Sequence, residues 1–131
     1  MKLQLSLIAH WFGMTKKLIK KEDYRSITPY WCNRLLLQNG KKQSKQWWSK
    51  YLQSYSVETI VKAIETNCQI HRLSFKPFTT NKMTLGYPKG TDTERIVEFE
   101  HAGIEIRTGN PDWGAEPNKL YFVIKHGKQL K

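Results

Sequence analysis

Leu3, Leu5 and Leu7 alternate with polar Gln4 and Ser6, which is the period of a strand with one buried face. The period then changes. Trp11, Met14 and Leu18 fall at i, i+3 and i+7, predicting a short helix over residues 10–19. Residues 20–27 are too charged for a core strand and read as a turn feeding an edge or cleft-lining strand. A second helix starts at Thr28, a residue type that caps helices, with Pro29 suited to the first helical position. Asn39-Gly40 is its predicted end, and Trp31, Cys32, Leu35 and Leu36 form its apolar stripe.

Residues 41–67 keep a helical pattern. Val57, Ile60, Val61, Ile64 and Cys68 recur at helical spacing behind Ser56, a candidate N-cap. From Ile70 the pattern turns to strands: Leu73 and Phe75, then Met83, Leu85 and Tyr87, then Val97 and Phe99 between glutamates. Ala102-Gly103 marks a bulge before Ile104 and Ile106, and residues 120–124 read as a fully buried strand. One strand, then helices, then four or five strands predicts an α+β fold, a single domain built around a small β-barrel or curled sheet.

Composition narrows the class. With 131 residues, 39% hydrophobic and 25% charged, the chain is neither a disordered tail nor a membrane protein. Gln4 and Ser6 interrupt any signal-peptide core, and two cysteines make no disulfide framework, so a reducing cytoplasm is the expected compartment. Charge is more informative. The net charge of +11 is uneven, because residues 1–51 hold eleven basic and two acidic side chains, a net of +9. A basic half of this kind points to polyanions as partners.

Several segments together resemble a known family. They are Trp11-Phe12-Gly13-Met14, Lys20-Lys21-Glu22-Asp23-Tyr24-Arg25, Thr28-Pro29-Tyr30-Trp31 with Arg34-Leu35, and in the C-terminal part Val97-Glu98-Phe99, residues 109–117 and residues 121–125. They resemble the activating-signal-cointegrator homology (ASCH) family, especially its small bacterial and phage members. The likeness covers roughly residues 3–36 and 94–128 and leaves residues 40–67 outside it. It implies a PUA-like fold, a small barrel of about five or six strands flanked by helices, with RNA or a modified nucleotide bound in a basic cleft beside the barrel. Some members are hydrolases of acetylated cytidine or ribonucleases. The family pattern Gly-x-Lys-x-x-Glu-x-Arg falls here on Leu18, Lys20, Asp23 and Arg25. Lysine and arginine match; leucine replaces a glycine that would permit a left-handed turn, and aspartate replaces glutamate.

Read physically, Asp23 and Arg25 are two apart and share a strand face, which Lys20 joins from the preceding turn. Arg25 can hold a phosphate bidentately, Lys20 as a point charge, and Asp23 can accept from a base amino group. The competing reading is a structural Asp23–Arg25 pair beside an exposed lysine. Lys17 and Lys21 flank this trio, and Trp11, Trp31 and Trp113 are candidate walls for a planar base. Trp113 lies in a shaped loop, residues 109–117, where it can equally plug a barrel end. In segment 41–51 the helical face of Trp47, Trp48, Tyr51, Leu52 and Tyr55 either stacks bases or, as amphipathic helices normally do, packs into the core.

An enzyme is the alternative, with Lys20 and Asp23 as its catalytic groups. Yet the threonine nucleophile of the amidohydrolase branch is replaced by Asp23, and no histidine stands near the motif in sequence to act as a base. A protein-interaction module is a third class. Cys68-x-x-His71 has no second ligand pair, so no metal is expected, and no nucleotide or cofactor fingerprint occurs.

Overall fold

The computed structural model describes residues 1–65 and 72–130. Its elements run β1 (Lys2–Leu7), α1 (Ala9–Lys16), β2 (Glu22–Ser26), α2 (Pro29–Leu35), β3 (Leu36–Gln38), α3 (Lys45–Ser54), α4 (Val57–Glu65), β4 (Leu73–Phe75), β5 (Thr80–Leu85), β6 (Ile96–Thr108) and β7 (Leu120–Gln129). The class is α+β. Five strands form one curled mixed sheet in the order β1-β5-β6-β7-β2. β1 lies parallel to β5 and the remaining pairs are antiparallel. β3 and β4 form a separate antiparallel ribbon.

Alternation sets the faces. Leu3, Leu5 and Leu7 are buried while Lys2, Gln4 and Ser6 face outward. Met83, Val97, Phe122 and Ile124 complete the concave face, and Leu35, Trp48 and Ile60 cover it from the helices. The curl is visible in side chains that span strands. Asn81 on β5 reaches across β6 to the Lys125 carbonyl of β7, 3.1 Å away, and Arg25 on edge strand β2 donates to the Ser6 carbonyl of edge strand β1 at 3.2 Å.

Helix starts follow the sequence chemistry. Thr28 accepts from the Trp31 N–H at 3.3 Å and Pro29 opens α2; Ser44 and Ser56 cap α3 and α4 in the same way. Lengths are less faithful. The second helix ends at Leu35, four residues before Asn39, because Leu36–Gln38 pairs with Leu73–Phe75. The helical stretch 41–67 is two helices, and the stripe position Cys68 lies outside the described residues. β5 ends at Leu85: Gly86, at φ +64°, turns the chain and Tyr87 leaves the sheet. The last strand continues to Gln129, and its first residue, Leu120, is partly exposed. The predicted bulge is present, with the β6–β7 register slipping on both sides of His101 and Gly103 at φ +108°.

α1 ends in a Schellman turn built on a leucine. Leu18 sits at φ +64°, its N–H donates to the Thr15 carbonyl at 3.0 Å, and the Ile19 N–H donates to Met14 at 2.9 Å. This is the left-handed turn that a glycine would have made without steric penalty, and it aims Lys20 inward.

Candidate functional site

The predicted trio divides between two places, Lys20 with Asp23 in one and Arg25 in the other. In the first, Lys20 is buried, 3% exposed, and hydrogen-bonds both the Glu22 carbonyl and Asp23. Asp23 uses its second oxygen for His126, whose Nε2 donates to Oδ2 at 2.6 Å. Asn81 Nδ2 donates to His126 Nδ1 at 2.8 Å, and Asn81 Oδ1 accepts from His101 Nδ1 at 2.7 Å. The amide of Asn81 therefore fixes the tautomer, leaving the His126 proton on Nε2 for Asp23.

Burial alone would raise the Asp23 carboxyl. The hydrogen bond from His126 and the charge of Lys20 outweigh it, holding the group down at about 2. Burial pulls the Lys20 ammonium below its ordinary value, with Asp23 pulling the other way. This overturns two expectations. Lys20 is not an exposed lysine, and Asp23 pairs with Lys20 and His126 rather than with Arg25. A histidine does stand beside the motif, delivered by β7. Both carboxylate oxygens and both His126 nitrogens are already bonded, so the cluster ties β2, β5, β6 and β7 together. A cavity of about 390 Å³ lies over it, lined by Leu18, Lys20, Lys21, Phe99, His126 and Lys128 among others.

Arg25 faces the other place, a cleft of about 400 Å³ lined by Gln4, Ser6, Arg25, Tyr30, Trp31, Arg34 and Tyr87. The guanidiniums of Arg25 and Arg34 stand over the Trp31 ring, 5.0 and 4.9 Å from its centroid. Each is also tied to β1, Arg25 to the Ser6 carbonyl and Arg34 to that of Gln4 at 2.9 Å. Arg25 Nε–H is buried and makes no hydrogen bond among the described residues. Two cations are thus fixed in one cleft, with free donors and no carboxylate among its lining residues.

The other candidates scatter. Trp11 packs under Lys20, whose Nζ is 5.9 Å from its ring, and against Gly114, where φ +98° and a Cβ only 2.9 Å from the indole demand glycine. Lys17 and Lys21 are exposed. Trp113 is half-buried in a 3₁₀ turn, Pro111–Trp113. The aromatic face of α3 takes its core role: Trp48 and Tyr51 are buried, and half-buried Trp47 stacks on Tyr51 at 5.2 Å. Cys68 and His71 lie outside the described residues, and among those described no cluster of metal-ligating side chains occurs. No helix among them is long and apolar enough to cross a membrane.

The residues missing from the sequence reading of the site are His126, Asn81, His101, Tyr87 and, as cleft walls, Tyr30 and Arg34. His126 had a signal. It continues the alternation Phe122, Ile124 and so belongs to their face. Asn81 and Tyr87 had none, since their roles depend on which strands become neighbours. No family model matches the chain, and neither does any curated protein or solved structure.

Proposed function

We propose that this protein is a PUA-like module of the ASCH kind that binds RNA or a modified nucleotide in its basic cleft, acting in the cytoplasm. The observation that carries the reading is the pair of guanidiniums held over one indole beside exposed tyrosines. Planar cations suit phosphate oxygens, and neighbouring aromatic faces suit bases. The +9 charge of residues 1–51, which supply most of the cleft, supports a polyanionic ligand. Of the sequence candidates, Arg25 contacts the ligand directly, Trp31 holds the arginines in position, and the Lys20–Asp23–His126 cluster keeps β2 in place beneath them.

The test is fluorescence polarisation of labelled single-stranded RNA at two salt concentrations. Binding that weakens as salt rises is expected, since phosphate contacts release counterions. No binding, or binding indifferent to salt, overturns the proposal.

A further inference from the structure

The cationic cleft does not account for Tyr87. This side chain is 94% exposed, the most exposed large hydrophobic residue among those described, yet its turn is firmly rooted. The Gly86 N–H donates to the Leu7 carbonyl at 3.3 Å, and the Gly86 carbonyl accepts from Ser6 Oγ at 3.2 Å and Thr84 Oγ1 at 2.8 Å. The backbone beside the ring is therefore anchored, which places Tyr87 at the rim of the cleft that Arg25 and Arg34 line. Tyr30, 49% exposed, stands on the same cleft, edge-on to Trp31 at 5.2 Å. Trp31 already carries the two guanidiniums. An aromatic ring left in water forgoes the burial its area would provide, so an exposed tyrosine on an anchored turn beside two oriented cations is a platform lacking its planar partner.

We infer that the cleft takes a single-stranded stretch of RNA, with an unpaired base stacked on Tyr87 and the adjoining phosphate held by Arg25 and Arg34. This rests on the nucleic-acid reading and narrows it to unpaired substrates. In a duplex the bases stack on one another and present only edges and backbone, leaving no face for a protruding ring. Stacking tolerates every base, so little sequence preference accompanies it.

The experiment compares a labelled single-stranded octamer with the same sequence in a duplex, against the wild type, Tyr87→Ala and Tyr87→Phe. Because Tyr87 is exposed, these variants keep the wild-type melting temperature. The single strand is expected to bind at least about tenfold more tightly than the duplex. Tyr87→Ala should weaken it about 5- to 140-fold, the equivalent of 1–3 kcal/mol at 1.4 kcal/mol per tenfold, while Tyr87→Phe retains wild-type affinity. Equal binding of single strand and duplex overturns the inference, as does a Tyr87→Ala protein that binds like the wild type; in either case RNA binding itself still stands. A wild-type protein that binds neither RNA refutes both readings.

Discussion

Leu18 holds a left-handed conformation that costs a side-chain-bearing residue about 1–2 kcal/mol. Its side chain is half-exposed, so little packing offsets that cost. Leu18→Gly should therefore gain up to about 1 kcal/mol in chemical denaturation, the relief of strain less the entropy a glycine loses on folding. Leu18→Val, β-branched at the same angle, should lose stability. A glycine variant less stable than the wild type would show that the turn carries no such strain. Asp23 sets a second test. Its carboxyl sits near 2 in the folded protein, below the ordinary 3.8, so it favours folding at any pH above about 4. That contribution disappears as pH falls from about 4 to 2, and a depression of this size corresponds to about 2 kcal/mol. Urea denaturation across this range should show the loss, and Asp23→Asn, though less stable at neutral pH, should show a shallower decline. An equally steep decline in the variant assigns the effect elsewhere. At this scale the sequence exposed types but not partners: Lys20, Asp23 and Arg25 were legible as a charged trio, whereas the bonds of Asp23 to Lys20 and to His126, 103 positions away, were not.

Elements were readable where their cause is local. The caps at Thr28 and Ser56, the alternation of β1 and the bulge at Gly103 each depend on a few adjacent residues, and each lies where the chain places it. What failed depends on distant pairing. Leu36 ends the apolar stripe read as a helix, but Leu36–Gln38 becomes a strand because Leu73–Phe75 offers a ribbon partner. β7 runs five residues beyond the apolar stretch that marks it, since β6 pairs with it as far as Gln129 and the Lys21 carbonyl takes the His126 N–H. The same dependence divides the site. Asp23 and Arg25 share one face of β2, as their spacing requires, yet Lys20 and His126 of β7 claim the first while β1 and α2 claim the second. Arg25 thereby joins the two edge strands of the curled sheet, which makes it a structural residue as well as the proposed ligand contact.

At the scale of the whole molecule, the charge imbalance becomes a geometric one. The arginines that cap the β1 carbonyls also leave that edge poorly suited to pairing with another strand, because Gln4 and Ser6 are already engaged. An added β-strand would find these two carbonyls already taken, which sets the cleft apart from a peptide-docking edge. Each phosphate neutralised on a single strand contributes about −0.7 to the slope of log affinity against log salt, so the two arginines together account for about −1.4. Arg34 is the residue on which to test this, since Arg25 also holds the sheet edges together. Arg34→Gln keeps a planar polar side chain while removing the charge over Trp31 and the exposed tie to the Gln4 carbonyl. Its salt slope for single-stranded RNA should flatten by about 0.7, with affinity falling at low salt and the melting temperature little changed. An unaltered slope in a folded Arg34→Gln protein would place the phosphate contacts elsewhere on the basic surface, leaving Arg34 as a clamp between α2 and β1.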